Sequence, residues 1–404
     1  MKLLHTADWH LGHRLHEHSQ YKEQLFFLQW LTAQVDELEI DILLVSGDIF
    51  DTGVPSAQSR KMYYDFLINL QKTHCTHIVI TGGNHDAPGT INAPKELLLA
   101  LSIHVVGKAT ENISDEVFNL TVGEEQIIIA AVPYLRDQDI RRAVAGETFD
   151  EITDRYKTAL VNHYTEAASY CKKLQLKKVP MIAMGHLFAI GGSTSDSEQN
   201  IYVGTLGHIG AEDFPKTFDY VALGHLHRPQ IVGGCNHIRY SGSPNILSFS
   251  EIGYEKKVVV LKTEKDTITE IEEVTIPTFR KVLRIKGTIE EVTLKLKEID
   301  TKNDTLTTWV EVILDTDSGI LIDKTEIYKE AEKSEVLVIN IKTKNERTIK
   351  GLEQLIHHSQ SIKELSPLEV FTKKCEEEGL NLTEQPELLD AFQEIVHIIR
   401  EQKV

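Results

Sequence analysis

Five short polar motifs, each directly behind an apolar run, constrain this chain more than any other feature. They are Asp8-Trp9-His10, Gly47-Asp48-Ile49-Phe50-Asp51, Gly83-Asn84-His85-Asp86, Gly185-His186 and Gly224-His225-Leu226-His227. The runs before them, at 2–6, 41–46, 77–81, 181–184 and 219–223, have strand length and strand composition, as does 126–132. Helix-like segments alternate with them. The segment 21–39 carries Leu28, Leu31, Val35 and Leu38 on one face, and 57–70, 93–101 and 153–174 read similarly. The alternation predicts an α/β or layered α+β domain. Loops at the carboxyl ends of strands gather ligands in such sheets, so motifs far apart in sequence are expected to meet in one pocket.

The side chains in these motifs belong together chemically. Asp8, His10, Asp48, Asn84, His186, His225 and His227 offer carboxylate, carboxamide and imidazole but no thiolate, a set suited to Mn²⁺, Fe²⁺ or Zn²⁺. Seven ligands exceed the needs of one open catalytic ion and suit two, sharing a carboxylate at roughly 3.5–4 Å separation. Gly47, Gly83, Gly185 and Gly224 are expected to let the backbone turn sharply as each strand ends. A D-x-H triplet or a G-H pair alone says little; the ordered set of five carries the metal reading. His13, His16, His18, His163, His208 and His237 lack a strand-end motif and read as surface or hydrogen-bonded histidines. Asp86 reads at least as well as a loop cap. Arg136, Arg141 and Arg142 could steer a phosphate backbone or form a solvated face.

Composition bounds the rest. With 404 residues, 41% apolar and 26% charged, the chain can build two or three cored domains. No secretory pattern opens it and its apolar runs are far short of a membrane span, so a cytoplasmic protein is expected. Cys75, Cys171, Cys235 and Cys375 form no C-x-x-C pair, which fits reduced, buried thiols. The net charge of −18, from 43 Lys+Arg against 61 Asp+Glu, leaves little basic surface for gripping nucleic acid without metal ions, a local basic groove or a partner.

Past about residue 276 the motifs stop. A small α/β unit is expected at 277–345, with strands at 279–286, 307–314 and 336–342 and helices at 289–299 and 324–332. The tail, 346–404, opens a helix with the capping box Ser366-Pro367-Leu368-Glu369, ended by Gly379; a second follows Pro386, with Leu389, Phe392, Val396 and Ile399 on one face. Two such helices either fold back on the body or dock on something else.

The order of the five motifs resembles that of the calcineurin-like metallophosphoesterases over roughly the first 275 residues. Within that superfamily the chain resembles the nuclease subunits of bacterial complexes that process DNA double-strand ends. The narrower likeness rests on His5-Thr6-Ala7-Asp8-Trp9-His10-Leu11-Gly12, Gly47-Asp48-Ile49-Phe50-Asp51-Thr52-Gly53 and Pro133-Tyr134-Leu135-Arg136-Asp137. It rests equally on Gly191-Gly192-Ser193-Thr194-Ser195-Asp196-Ser197-Glu198, Ala222-Leu223-Gly224-His225-Leu226-His227-Arg228-Pro229 and Tyr240-Ser241-Gly242-Ser243-Pro244. The resemblance implies an α/β (α+β layered) fold, a β-sandwich flanked by helices. It implies a nuclease domain at 1–276, a capping domain at 277–345 and a helical tail at 346–404.

It further implies that Asp8, His10, Asp48 and His227 hold one divalent ion and Asp48, Asn84, His186 and His225 the other, Mn²⁺ before Mg²⁺. His85 would protonate the leaving sugar oxygen, and Asp51, where archaeal and eukaryotic relatives tend to carry histidine, would hold the other nitrogen of His85. The implied partners are DNA ends and hairpins, and a coiled-coil ATPase docked on tail residues Leu368, Phe371, Leu389, Phe392 and Val396. A homodimer would form through 57–70 and 93–101, by Met62, Phe66 and Leu97, giving a heterotetramer with the ATPase. The implied activity is ATP-dependent double-strand 3′→5′ exonuclease and single-strand or hairpin endonuclease, in DNA repair, recombination and replication. A small-substrate phosphoesterase is the enzymatic rival, although a phosphatase would carry arginine and glycine where Thr52-Gly53 stand. A non-catalytic scaffold is the other rival, and it predicts eroded ligands.

Overall fold

The structure, a computed structural model, describes residues 1–140, 149–189, 209–302, 304–315 and 323–344. The block from Gly191 to Glu198, Arg141, Arg142, His208, Cys375 and the tail with Leu368, Phe371, Leu389, Phe392, Val396 and Ile399 lie outside the described residues.

Two six-stranded sheets face each other. The first begins with β1 (Lys2–Thr6); the hairpin β2 (Arg14–Leu15) and β3 (His18–Ser19) and helix α1 (Tyr21–Glu37) lead to β4 (Ile42–Ser46). Helix α2 (Ala57–Leu70) precedes β5 (His77–Thr81), and α3 (Pro88–Asn92) and α4 (Lys95–Leu99) precede β6 (Ile103–Val106). The second sheet takes β7 (Val117–Val122) and β8 (Glu125–Ala131), then, after α5 (Asp137–Ile140) and α6 (Phe149–Leu174), β9 (Met181–His186) and β10 (Tyr220–Gly224). It is completed by β11 (Gln230–Val232) and β12 (Cys235–Tyr240), after which β13 (Lys257–Glu264) and β14 (Thr267–Thr275) return to the first sheet. The orders are β14-β13-β1-β4-β5-β6 and β11-β12-β10-β9-β8-β7, with parallel pairing among β1, β4, β5 and β6 and among β8, β9, β10 and β12.

Continuous apolar runs form these strands because both faces of each sheet are covered. Along β4, Ile42 and Leu44 join Leu3, Ile129, Ile182 and Met184 in the core between the sheets. Leu43 and Val45 alternate with them and pack under α1 and α2, against Leu28, Leu31, Val35, Met62 and Phe66. On the far side, α6 covers the second sheet with Leu160 and Tyr164 against Ala130, Ala183 and Val221. Burying each such side chain contributes about 1.5–3 kcal/mol, which holds the two sheets in register at their carboxyl ends.

A three-stranded parallel sheet follows, β15 (Val282–Gly287), β16 (Trp309–Asp315) and β17 (Leu337–Lys344), crossed by α7 (Ile289–Lys297) and α8 (Thr325–Lys333). Thr288 and Glu291 cap α7 reciprocally, and Ile285, Val292, Leu296, Val310, Val312 and Ile327 form its own core. It rests on the sandwich through Leu15, Phe249, Val282 and Trp309. Arg280 pairs with Glu23 of α1, and its guanidinium lies 4.1 Å from the Trp309 ring centroid.

Two expectations need correction. The helix expected at 93–101 is shorter, α4 at Lys95–Leu99: Pro94, which has no N–H, stands just before it, and the separate α3 ends at Asn92. Met62 and Phe66, expected at a contact between protomers, are 5% and 3% exposed and give most of their surface to the core, although both line the open groove between α1 and α2; Leu97 is 71% exposed. No helix among the described residues is long and apolar enough to cross a membrane.

Candidate metal centre

The five motifs leave β1, β4, β5, β9 and β10 at the same end of the sandwich, and the parallel register brings them together. The loop behind β1 is laced to the loop behind β4: the Asp8, His10 and Leu11 amides donate to the carbonyls of Gly47, Asp48 and Ile49 at 3.1, 3.0 and 2.9 Å. Between them Trp9 turns into the core, where its indole N–H donates to Thr6 Oγ1 at 3.0 Å and its ring meets Phe27 and Phe66 edge-on. Asp8 and His10, its neighbours, are thereby thrown toward the pocket.

Carboxylates and imidazoles converge there. Possible ligand atoms of Asp8, His10 and His227 lie within 4.8 Å of one another, as do those of Asp8, Asp48 and His186, and those of His10, Asp51 and His85. Asn84 Oδ1 lies 2.9 Å from His186 Nε2 and 3.0 Å from His225 Nδ1, which brings the remaining two residues into the same cluster. The Asp8 carboxylate accepts from the His225 amide at 2.9 Å, and Asp48 Oδ1 accepts from the His85 amide at 2.9 Å. His10 is 2% exposed; among the described residues neither ring nitrogen has a hydrogen-bond partner, Nε2 lying 3.4 Å from an Asp48 oxygen and Nδ1 3.4 Å from an Asp51 oxygen.

Burial dominates the electrostatics. It pushes the Asp8 carboxyl up to about 7 against the pull of His186 and His227. It also opposes ionisation of Asp48, yet the charge and hydrogen bond of His186 hold that carboxyl well below the usual range. His186 resists burial because Asp48 stabilises its cation, and it rises to about 9. His10 and His225, buried with weaker partners, fall to about 4 and about 3. Two buried carboxylates held this close require positive charge beside them. The lowered imidazoles of His10 and His225 and a hard-to-borderline mix of O and N donors without thiolate fit divalent cations.

The surrounding residues hold these ligands in place. The Asp86 carboxylate accepts from the amides of Ile49, Phe50 and Gly83 at 3.1, 3.0 and 2.9 Å, so it caps two loops. The Asp51 carboxylate expected on His85 turns instead to His13 Nδ1 at 2.7 Å and lies 3.4 Å from His10 Nδ1. His85 Nδ1 donates to the Asp51 backbone carbonyl at 2.8 Å, because the turn after β4 presents the carbonyl rather than the side chain. The glycine expectation also changes. Only Gly47 of the four has a positive φ, +81°; Gly83 and Gly224 are required by close approach, since a Cβ would stand 2.1 Å from Asp48 Oδ1 and 1.9 Å from the Ser46 carbonyl oxygen.

Sequence reasoning missed Glu251 altogether. This carboxylate has no exposed surface and faces His227 Nδ1 at 3.1 Å. Burial opposes its charge, but Lys256 and the His227 hydrogen bond hold it well below the usual carboxylate range. It carries no motif; only the neighbouring Tyr240 to Pro244 block hinted that the segment matters. Among the histidines set aside, His13 bridges Asp51 and the Leu247 carbonyl, His163 pairs with Glu116 at 2.7 Å and His237 is exposed. Arg136 pairs with Asp139 at 3.0 Å.

The sequence profile described as calcineurin-like phosphoesterase matches residues 1–229, which include all seven candidate ligands. A second profile, described as type 5 capsule protein repressor C-terminal domain, matches residues 278–379. The chain is similar to the D subunit of nuclease SbcCD from Escherichia coli, 32% identical over 400 residues, 99% of this chain and 98% of the relative. It is similar also to the proteins of that name in Bacillus subtilis, 37% identical over 265 residues (65% of this chain, 66% of the relative), and in Rhodobacter capsulatus, 34% identical over 273 residues (65% and 66%). The chain belongs to the calcineurin-like phosphoesterases and, within them, to the metal-dependent nucleases that form the D subunits of SbcCD.

Proposed function

We propose that this chain cleaves DNA phosphodiesters at two divalent cations, Mn²⁺ in preference to Mg²⁺, as the cytoplasmic partner of a coiled-coil ATPase of the SbcC type. The observation that carries the reading is the meeting of Asp8, His10, Asp48, Asn84, His186, His225 and His227 at the ends of five strands. Asp8, His10, Asp48 and His227 would hold one cation and Asp48, Asn84, His186 and His225 the other. When bound, such a pair supplies Lewis acidity, lowering the pKa of water and offsetting charge on the phosphodiester oxygens.

The chain's own residues then handle alignment and the proton. The Asp51 carbonyl holds His85 Nδ1–H, so that the ring, when it carries a proton on both nitrogens, presents Nε2–H to the leaving sugar oxygen and gives up that proton as the P–O bond breaks. The His85 amide on Asp48 Oδ1 ties that donor to the shared carboxylate. Asp51, through His13 and His10, steadies the wall beside it.

With ATP and the ATPase, the expected outcome is 3′→5′ exonuclease action on double strands and endonuclease action on single strands or hairpins. The net charge of −18 supports a partner that holds the DNA. We assign residues 1–276 to the nuclease domain, 277–345 to a cap over it and 346–404 to docking on the ATPase. Self-association would use Leu97, with the neighbouring Leu99 and Leu101, also exposed.

Replacing His85 with asparagine tests the assignment. DNA cleavage in Mn²⁺ should fall by about 10²–10⁴-fold while metal uptake stays at the wild-type level. Loss of metal uptake together with activity would make His85 a ligand and overturn its role as proton donor.

A further inference from the structure

The candidate ligand imidazoles are not held alike. His186 Nδ1 faces the Ser46 carbonyl at 3.0 Å, a neutral dipole. His227 Nδ1 faces a carboxylate, Glu251 Oε1, at 3.1 Å. The second oxygen of Glu251 accepts from Lys256 Nζ at 2.6 Å, the Leu247 amide at 3.2 Å and Ser243 Oγ at 3.4 Å. Lys256, 8% exposed, also donates to Ser243 Oγ at 2.8 Å and to the His227 carbonyl at 3.4 Å. One ammonium thus grips both the carboxylate that faces the ring and the backbone from which the ring hangs. Phe249, two residues from Glu251, packs with Leu15, Val282 and Trp309, so the third sheet clamps this loop.

A buried acid–base pair is an expensive way to fix a loop, because apolar residues of similar volume often do as well or better. Its orientation toward an imidazole in the cluster gives it a chemical use. We propose that Glu251 is a positioning residue for His227. Its carboxylate accepts a hydrogen bond from Nδ1–H, fixes the tautomer that leaves the Nε2 lone pair for a cation on the Asp8–His10 side, and strengthens that nitrogen as a ligand. Lys256 balances the buried charge. The proposal rests on the metal reading above and adds an asymmetry to it: one of the two cations depends on Glu251 and the other does not.

Calorimetric titration of the full chain with Mn²⁺ tests this directly. The wild type should take up two ions per chain. Glu251→Gln, which keeps an oxygen facing the ring but no charge, should bind one of them about 10–100-fold more weakly and the other unchanged. Electron paramagnetic resonance at a Mn²⁺ level that fills the wild type should then report an isolated ion in place of a spin-coupled pair. The double variant E251Q/K256M removes the buried charges together, which guards against misfolding, and should show the same selective weakening. Wild-type affinity for both ions in either variant, or equal weakening of both, overturns the proposal. A wild-type chain that takes up no pair of ions would instead overturn the metal reading beneath it.

Discussion

Asp8, His10, Asp48 and His225 have φ values of 54°, 44°, 49° and 106°, conformations that side chains with a Cβ adopt at a cost of about 1–3 kcal/mol each. Such strain persists only where neighbouring contacts over-determine it. Here the laced amides behind β1 and β4, the triple acceptance by Asp86 and the Asp8 carboxylate on the His225 amide do so. The residue types of the cluster were legible because they follow strands in a recognisable order. Their hydrogen-bond partners were not. Glu251 and Leu247 approach from a loop far along the chain, and no local pattern shows whether Asp51 offers its carboxylate or its carbonyl. His5 shows the same limit. It lies between the sheets with Nδ1 3.1 Å from the Tyr220 hydroxyl and Nε2 3.2 Å from the Leu223 carbonyl, and burial lowers it from 6.5 to about 3. A lowered imidazole binds fewer protons folded than unfolded between those values, so its contribution to stability falls as pH drops from 6.5 toward 3. His5→Gln should therefore flatten the acid-side slope of unfolding free energy by about 1.4 kcal/mol per pH unit, read from urea titrations. An unchanged slope would mean that His5 charges in the folded state.

At the level of elements, β1, β4, β5, β9 and β10 were all anticipated within a few residues, because runs buried on both faces stand out from their surroundings. Strands β2, β3, β6, β7, β11, β12, β13 and β14 were not. Thr267–Thr275 is rich in Glu and Thr and wholly without buried positions, as an edge strand that must avoid further pairing should be, and its pattern does not separate it from a loop. Closeness of the two sheets at the ligand end was equally invisible. Gly224, the last residue of β10, passes so near the Ser46 carbonyl of β4 that a methyl group cannot fit. Gly224→Ala should cost about 3 kcal/mol or more and lower metal affinity with it, since it wedges apart the strand ends that carry Asp48 and His225. A variant with wild-type melting and metal uptake would show that the sheets tolerate separation there.

Across the whole molecule, a highly acidic chain carries a site built for a polyanionic substrate. In the function proposed above, metal ions would resolve that conflict locally and a DNA-holding partner would resolve it globally. On this account, deleting residues 366–404 should abolish co-purification with an SbcC-type ATPase and leave the metal content of the remainder unchanged. Retained co-purification would move the docking surface elsewhere. The central claim, that five strand ends cage two divalent cations around Asp48, is tested most directly by anomalous diffraction from manganese-soaked crystals. The account predicts two peaks roughly 3.5–4 Å apart, with the Asp48 carboxylate between them. A single peak, or peaks away from Asp48, would contradict it.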